Sequence, residues 1–436
     1  MPADEPEPVQ GDSARPGRAD LVIDNISRLV TLARGAAAGA EGPLGVITHA
    51  ALAARAGRII WCGPAADLSA AVSAESARHM DAGGHAVIPG FVDSHTHFVF
   101  AGDRAEEFQL RHAGVSYEEL ARQGRGILST VRATRAAAPE ALRASGAARL
   151  RSFAAHGTTT VEGKTGYGLD HASESTCLDV MADLANDPDL PAVVPTFLGA
   201  HTVPPELRDT PGGRAKYVDR VCDEMLPAFA GRARFCDVFC ERTAFTVDET
   251  RRILERATDL GYLLKIHANQ LSASGGAAIA AELGAVSADH LDFASDTDLV
   301  ALEAAGVVAT LLPGCSFALS TPYPSGRRIV DAGLRIGLAT DFNPGTSYSE
   351  NMQIMIALAV SAMGLTLDEA LRAATLGGAA ALRLEEEVGS LEPGKRCDLA
   401  MLSVPDEREL AYHFGVNLVD RTVFRGREVA ANSTSR

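Results

Sequence analysis

The chain has 436 residues, of which 46% are hydrophobic and 22% are charged, a composition typical of a globular protein in solution. The 56 acidic residues outnumber the 40 lysines and arginines, and the formal charge of −16 argues against a broad basic surface for nucleic acid or an anionic membrane. The first residues lack the apolar core of a signal peptide, and no apolar run approaches the length of a membrane span. The seven cysteines are too irregularly spaced for a disulfide framework, so these features together predict a cytoplasmic protein.

Both ends of the chain have the pattern of short antiparallel strands. Residues 1–19 are acidic and contain prolines, which predicts a disordered leader. We expect residues 20–86 and 386–430 to assemble into one small composite β-sandwich domain. The short apolar runs that predict its strands are LVIDNISRLVTL, GRIIWCG, CDLAMLSV and DRTVFRGREV.

Residues 87–385 alternate apolar runs with segments at helical spacing. The apolar runs are, in chain order, HAVIPGFVDSHTHF, TTTVEGKTGYG, AVVPTFLGAH, ARFCDVFCE, YLLKIHA, AVSADHL, VVATLLPG and LRIGLATDFNP. Two of the intervening segments carry capping-box patterns, Thr246 with Glu249 and Ser347 with Glu350. Eight buried runs alternating with helices predict an α/β fold in which parallel strands close into a (β/α)8 TIM-like barrel. The alternative is an open doubly wound sheet, which usually has a glycine-rich phosphate loop after its first strand, whereas the first strand here ends in His-Thr-His.

Polar side chains gather at the ends of the predicted strands. They are His95, His97, Lys164, Tyr167, His201, Glu241, His267, His290 and Asp341. In a barrel of parallel strands, the C-terminal strand ends face the active site. Five of the 12 histidines lie at these ends beside an aspartate, which is hard to ascribe to chance. We therefore predict an active site at this end of the barrel.

The first strand end has the spacing of a metal site. His95 and His97 point to the same side, because the facing of a strand repeats every two residues. Two such imidazoles can bind one metal ion when further ligands are present, and His267 and Asp341 would complete the set. Three nitrogens and one oxygen suit one zinc or iron ion better than magnesium or calcium. The alternative for each single histidine is a buried core or helix-capping residue.

A hydrolysis at such a centre needs a group that carries a proton from water to the leaving nitrogen. Asp341, as ligand and base together, and His290, one strand away from His267, are the candidates. The alternative for His290 is an interior histidine bonded to Asp289 or to the backbone.

Several segments together resemble the amidohydrolase superfamily, and the resemblance extends from about residue 20 to 430. They are VIPGFVDSHTHFVFAGDRAEEF, GKTGYG, FLGAHTVPPE, KIHANQLSASGG, SADHL and ATDFNPGTSYSENM. The His-x-His pair with a later histidine and aspartate is shared by many amidohydrolases. GKTGYG, FLGAH and DFNPGTS are similar to the members that hydrolyse 4-imidazolone-5-propanoate to N-formimidoyl-L-glutamate in histidine degradation. The resemblance implies that reaction, in which water attacks the ring carbonyl and the cyclic amide C–N bond opens, and a cytoplasmic, often dimeric enzyme.

The resemblance also implies roles for individual residues. The implied metal ligands are His95, His97, His267 and Asp341. The implied substrate-binding residues are Arg104, Tyr167, His201, Gln270, Asn343, Gly345 and Thr346. The implied catalytic residues are Asp341, His290 and Gln270. Some relatives have glutamate in place of Gln270, and glutamine cannot take a proton at neutral pH. Either this residue only binds substrate, or His290 and Asp341 transfer the proton without it.

The side chains expected to bind substrate each have an alternative. The Arg104 guanidinium can hold a carboxylate with two parallel hydrogen bonds, or it can pair with Glu106 or Glu107 on its own loop. Tyr167 lies between two glycines and is either a substrate contact or a turn aromatic. His201 either donates a hydrogen bond to the substrate or caps the following helix.

Lys164 and the reaction class also leave alternatives. A lysine near a strand end could be a carboxylated bridge between two metal ions, but the GKTGYG context favours a structural charge. A related deaminase acting on a nucleobase would release ammonia and would need no carboxylate anchor. A non-catalytic barrel that only binds or scaffolds would show broken ligand positions, and none of the four positions is broken in this sequence.

Overall fold

The computed structural model describes residues 17–33, 39–115, 119 and 125–432. Residues 1–16 of the predicted leader lie outside this range. The strands, numbered in chain order, are β1 Gly17–Arg18, β2 Leu21–Val30, β3 Val46–Arg55, β4 Arg58–Pro64, β5 Val72–Ser73, β6 Arg78–Asp81, β7 Ala86–Pro89, β8 Phe91–Asp93, β9 Thr158–Lys164, β10 Ala192–Ala200, β11 Phe235–Cys240, β12 Leu263–Ala268, β13 Ser287–His290, β14 Val308–Leu311, β15 Ile336–Leu338, β16 Leu399–Leu402, β17 Val419–Phe424 and β18 Arg427–Ala431.

Helices cover the outside of the barrel strands and extend into the loops. The α-helices are Leu68–Ala71, Ala105–His112, Ile127–Ala136, Pro139–Ala155, His171–Ala185, Pro205–Arg208, Gly213–Arg220, Leu226–Phe229, Val247–Asp259, Gly276–Glu282, Asp296–Ala304, Pro313–Leu319, Gly326–Asp331, Met352–Met363, Leu367–Arg372, Gly378–Ala381 and Glu409–Tyr412. Ala65–Asp67 is a 3₁₀ turn, and Val221–Met225 and Ala373–Gly377 are π-helical turns. None of the helices in the described ranges is long and apolar enough to span a bilayer.

Strands β8 to β15 form one parallel sheet in sequential order, and this sheet curls into the predicted barrel. The side chains of β9 are buried along its whole length, as expected for a strand covered on both faces. Backbone contacts after the first and last strands close the cylinder: the Asp341 amide donates to the His95 carbonyl at 3.0 Å, and the His97 amide donates to the Phe342 carbonyl at 2.8 Å. Barrel closure therefore places the His-x-His segment directly beside Asp341.

The second sheet is assembled from both ends of the chain. Its order is β18-β17-β16-β7-β2-β3-β4, with β6 paired to β2. Near the start of the chain, β1 and β5 form a separate parallel pair. The predicted fold class, a TIM-like barrel with a composite β domain, is confirmed, whereas the residue boundaries of the domains stay a prediction.

Gly90 joins the two sheets because it lies between β7 and β8. A Cβ atom at this position would lie 2.4 Å from both Cγ2 and Oγ1 of Thr159, which is too close for any side chain. The glycine lets the chain pass directly from the composite sheet into the barrel.

One of the two predicted capping boxes is present. Thr246 and Glu249 form the reciprocal pair that starts the helix Val247–Asp259. The prediction for Ser347 and Glu350 is wrong, because the next helix starts at Met352 with Asn351 as its N-cap. The Ser347 hydroxyl instead donates to the Thr340 carbonyl at 2.6 Å and so holds the turn that follows β15.

Candidate active site

Three of the predicted metal ligands meet at the C-terminal mouth of the barrel. His95 and His97 follow β8, His267 lies in β12, and each is at most 4% exposed. The ring centre of His95 lies 5.4 Å from that of His97 and 4.5 Å from that of His267. Each of the three rings offers a nitrogen, and these nitrogens lie within 4.8 Å of one another. The geometry is that of a candidate metal site.

Asp341 completes this cluster from the other side of the barrel closure. Its Oδ1 atom lies 3.5 Å from His95 Nε2 and 3.7 Å from His97 Nε2. The backbone of Asp341 has φ +51°, in the left-handed region that non-glycine residues rarely adopt. Burial raises the pKa of its carboxyl group to about 7. A strained, buried carboxylate beside three imidazoles is the arrangement expected of a functional site.

The protonation of the histidines fits a divalent ion. Burial lowers the pKa of His95 and of His97 well below the ordinary value, so both rings are neutral, which is the form that binds metals. His95 Nδ1 is hydrogen-bonded to Asp289 at 2.6 Å. His95 Nε2 is buried and has no hydrogen-bond partner among the described residues. This nitrogen is therefore free to act as a ligand, and the carboxylate on the opposite nitrogen fixes the required tautomer.

A network of buried charges lies behind these histidines. Lys164 Nζ is 2.7 Å from Asp237, 3.1 Å from Glu162 and 3.5 Å from Asp289. Lys265 Nζ is 2.8 Å from Glu162 and 3.7 Å from Asp289. All five side chains are fully buried. The two lysines therefore hold three carboxylates in place at the back of the metal cluster.

Two of these carboxylates reach the cluster directly. Asp289 bonds His95, and Asp237 Oδ2 lies 3.0 Å from His267 Nδ1. Burial opposes ionisation of Asp289, but the neighbouring Lys265 and Lys164 hold its pKa well below the ordinary value. Asp289 thus partners His95 and not its sequence neighbour His290, which was the alternative considered from the sequence. The network thus orients His95 through a hydrogen bond to its Nδ1, and Asp237 holds His267 through the backbone amide, which donates to Asp237 Oδ1 at 3.2 Å.

Comparison with known proteins identifies the group to which this chain belongs. Residues 86–429 match the amidohydrolase family. The imidazolonepropionase of Symbiobacterium thermophilum is 50% identical over 414 residues, which cover 94% of this chain and 96% of that protein. The imidazolonepropionase of Mycolicibacterium smegmatis is 46% identical over 409 residues, covering 94% and 97% of the two chains. The chain belongs to the imidazolonepropionases within the amidohydrolase family.

Solved structures extend the likeness of the fold. An adenosine deaminase from Xanthomonas campestris with bound zinc superposes with a TM-score of 0.71 at 19% identity and covers 95% of this chain and 93% of its own. The guanine deaminase of E. coli superposes with a TM-score of 0.71 at 16% identity, covering 94% and 99% of the two chains. At such low identity these likenesses establish the amidohydrolase fold only.

Tyr167 and His201 line one side of the histidine cluster in this amidohydrolase. The His201 ring stacks on that of His97, with centres 5.2 Å apart and planes inclined by 18°. The Tyr167 ring lies 5.8 Å from His97 and 5.4 Å from His201. His201 Nδ1 lies 3.1 Å from the Gly166 carbonyl, which can only accept, so the proton is on Nδ1. In the neutral ring the His201 Nε2 atom is then an acceptor, and it would suit a substrate N–H. This differs from the donor role predicted from the sequence.

The turn after Asp341 is built around Asn343. Its Oδ1 accepts from the amides of Gly345 and Thr346, both at 2.8 Å, and its Nδ2 donates to the Asp341 carbonyl at 2.6 Å. These bonds use both ends of the Asn343 side chain to shape the turn. This turn fixes the positions of Gly345 and Thr346 beside the site.

Arg104 lies against this turn and is paired with Glu107. Its Nε donates to Glu107 Oε2 at 3.0 Å, and a second bond joins Nη2 to Oε1. The ion pair considered from the sequence is therefore formed. The role of Arg104 in binding substrate stays a prediction. It can be tested because the Arg104 guanidinium lies so close to Gly345 that a side chain at that position would displace it.

Gly345→Ala is expected to displace the Arg104 guanidinium. A Cβ atom on Gly345 would lie 2.1 Å from Arg104 Nη1, and only movement of the arginine can relieve that contact. If Arg104 binds a substrate carboxylate, KM should rise by about tenfold, because a charge-assisted hydrogen bond weakens. Steady-state kinetics measure this, with the melting temperature as the control for folding. An unchanged KM would show that the Arg104 position does not matter to substrate.

His290 and Gln270 lie on the side of the cluster away from His201. The His290 ring centre is 5.5 Å from that of His95 and 5.3 Å from that of His267. Gln270 Nε2 donates to Cys315 Sγ at 3.5 Å. Glu241, at the end of β11, accepts hydrogen bonds from the amides of Leu271 and Ser272 and thereby holds the loop that carries Gln270.

Apart from Lys164, the members of the charged network were not predicted from the sequence, and neither was Cys315. A signal for the network was present, because Glu162, Asp237 and Lys265 interrupt apolar strand runs. Glu162 precedes Lys164, and Lys265 precedes His267, by two residues, so each pair shares a face of its strand. Charged residues on the inward face of a buried strand require partners. No comparable signal distinguished Cys315 from the other core thiols.

Proposed function

We propose that the chain hydrolyses 4-imidazolone-5-propanoate to N-formimidoyl-L-glutamate. The hydroxyl group of water adds to the ring carbonyl carbon, the amide C–N bond breaks, and the freed nitrogen takes up a proton. The observation that carries the proposal is the buried cluster of His95, His97, His267 and Asp341 at the mouth of an amidohydrolase barrel. The imidazolonepropionases that match nearly the whole chain support this choice of substrate.

The metal ligands in this proposal are His95, His97, His267 and Asp341, and the ion is a single zinc or iron. When bound, such an ion supplies Lewis-acid activation of water and polarisation of a carbonyl. Neutral imidazoles with one carboxylate form a donor set suited to both ions. The free Nε2 of His95 supports this assignment.

The remaining residues bind the ring and move protons. His201 Nε2 would accept from a ring N–H, and Tyr167 would pack on the same side of the ring. Arg104, with the turn of Asn343, Gly345 and Thr346, would hold the propionate arm. These contacts would set the ring carbonyl in front of the cluster.

Proton transfer is assigned to residues on the side of the site opposite to His201 and Tyr167. The Asp341 carboxylate would take a proton from the attacking water, and the His290 imidazole would pass one to the leaving ring nitrogen. Both side chains are nearly fully buried, at 3% and 2% exposure, so bulk water does not compete for these protons. Gln270 would orient the substrate, since an amide does not take a proton at neutral pH.

Removal of metal is expected to abolish the reaction. Freshly generated imidazolonepropionate is mixed with the purified protein, and loss of its ultraviolet absorbance is followed before and after dialysis against a chelator. The rate should fall by more than about 100-fold without metal and return with added zinc or iron, because Lewis-acid activation is lost and restored. Absence of any chelator-sensitive loss of absorbance would end the assignment.

Arg104→Met separates the proposed hydrolysis from a nucleobase deaminase. We expect KM for imidazolonepropionate to rise about 10- to 100-fold, because the charged hydrogen bonds to its carboxylate disappear. Glu107→Gln keeps the arginine and removes its ion-pair partner, so it should change KM far less. The same proteins are assayed for ammonia release from guanine and cytosine. Equal effects of the two substitutions, or ammonia release that Arg104→Met leaves unchanged, would contradict the carboxylate anchor.

We also propose that the enzyme acts as a cytoplasmic homodimer. The support is the resemblance to dimeric, cytoplasmic amidohydrolases, together with the acidic composition. Sedimentation velocity on the purified chain, and fractionation of the cells that produce it, test the two statements. A monomer at micromolar concentration would contradict the first, and recovery with the membrane or the medium would contradict the second.

A further inference from the structure

A second group of possible metal ligands lies beside the histidine cluster. His290, Cys315 and Asp341 each offer one atom, and these three atoms lie within 4.8 Å of one another. His290 is the last residue of β13, whereas Cys315 and Asp341 follow β14 and β15, and these are consecutive strands of the barrel. All three side chains are at most 4% exposed. The group therefore lies at the same end of the barrel as the proposed catalytic metal and shares Asp341 with it.

The second group has side-chain atoms that can accept a ligand. The His290 imidazole is only 2% exposed, and its ring lies beside those of His95 and His267. Asp341 contacts the catalytic histidines through Oδ1, and a carboxylate has a second oxygen that can bind another ion. Cys315 Sγ contacts the Gln270 amide at 3.5 Å and also the Thr346 side chain, and sulfur forms only weak hydrogen bonds.

The residue types decide which ion would fit. An imidazole nitrogen, a thiolate sulfur and a carboxylate oxygen form a set that zinc and the softer cadmium ion bind well, whereas magnesium and calcium prefer oxygen. Binding would convert the Cys315 thiol to a thiolate: the S–H bond ionises, the proton leaves to solvent, and a metal–sulfur bond forms. No oxidant or further reactant is needed.

We propose that His290, Cys315 and Asp341 form a second, inhibitory site for zinc or cadmium next to the catalytic metal. Its inhibitory effect rests on the proposed function, because the ion would occupy the two side chains, His290 and Asp341, that transfer protons there. The binding itself does not depend on the reaction. Excess zinc would thus switch the enzyme off without displacing the ion that makes it active.

Cadmium titration of the metal-loaded enzyme tests the site directly. A cadmium–thiolate bond gives an ultraviolet charge-transfer band, whereas cadmium exchanged into the catalytic cluster gives none, because that cluster contains no sulfur. The expected result is a band that saturates with one added cadmium per chain, and two metal ions per chain by elemental analysis. No band, or a band accompanied by only one ion in total, would overturn the proposal.

Cysteine variants assign the band to one thiol. Cys315→Ser should remove the band, and Cys315→Ala serves as a second variant should the serine protein fold poorly. Cys240→Ser is the matched control, since Cys240 is also a buried thiol and lies at the end of β11, a strand of the same barrel that is not adjacent to β13, β14 or β15. Persistence of the band in both Cys315 variants, or its loss in Cys240→Ser, would overturn the assignment.

Inhibition is measured separately on each protein relative to its own activity without added metal. The zinc concentration that halves the rate should rise by more than about tenfold in Cys315→Ser, because a ligand has been removed. If zinc inhibits the parent and the variant equally, the inhibitory role is refuted. If no metal state hydrolyses imidazolonepropionate, the proposed function fails, while the cadmium band still decides the site.

Discussion

Asp341→Asn is expected to lower kcat for imidazolonepropionate by more than about 1,000-fold. The carboxylate contributes twice in the proposed reaction, as a metal ligand beside His95 and His97 and as the group that takes a proton from water. An amide of the same shape preserves the packing but cannot take that proton. Steady-state rates, together with the metal content of the purified variant, separate the two contributions.

The matched control for Asp341→Asn is Asp292→Asn. Asp292 lies near the same end of the barrel, where the Ser316 hydroxyl donates to it at 3.4 Å, but it contacts none of the predicted ligands among the described residues. We expect this variant to keep its rate within about tenfold of the parent, as for substitutions away from the reacting atoms. An Asp341→Asn protein that retained its metal and more than a tenth of its rate would remove Asp341 from the proton-transfer step.

Lys265→Met should destabilise the fold by about 3–5 kcal/mol, because it breaks a buried ion pair and leaves a carboxylate without compensation. Lys265 Nζ also donates to the Ser94 carbonyl at 2.7 Å, directly before His95, and to Glu162 at 2.8 Å. Loss of these bonds would loosen the strand end that carries the first two predicted ligands. The free energy of unfolding is measured by urea titration, and metal affinity is measured by competition with a chelating dye.

Lys216→Met provides the control, since it makes the same chemical change on the exposed face of the helix Gly213–Arg220. Its unfolding free energy should stay within about 0.5 kcal/mol of the parent. A stable Lys265→Met protein with unchanged metal affinity would show that the network is dispensable, and the proposed orientation of His95 through Asp289 would lose its support.

Much of the fold could be predicted from the sequence because its signals are local and repeated. Each barrel strand is a short apolar run, and its buried faces require that pattern. The active end could be located because His95, His97, His267, His290 and Asp341 all lie at or just after the C-terminal ends of such runs. The capping box at Thr246 was predictable for the same reason, since both of its bonds lie within four residues.

The details that the sequence did not decide depend on contacts between distant segments. Arg104 had two possible kinds of partner, a glutamate nearby in the chain (Glu106 or Glu107) and a substrate carboxylate. The sequence does not show which of them the guanidinium contacts. Asp289 could have bonded His290, but barrel closure brings His95 to it across 194 positions of the chain. Ser347 was predicted to be an N-cap from its sequence context. In the turn after β15, its hydroxyl donates to the Thr340 carbonyl instead.

The order of strands in the composite sheet has a consequence for biosynthesis. Strand β7 pairs with β2 on one side and with β16 on the other, and β16 follows the whole barrel in the chain. During translation, β7 therefore emerges from the ribosome long before β16. The edge of β7 that pairs with β16 stays unpaired until translation is almost complete. Unpaired edges of this kind invite association between nascent chains. The cell's chaperones would thus be most needed in the interval between the emergence of Gly90 and that of Leu399.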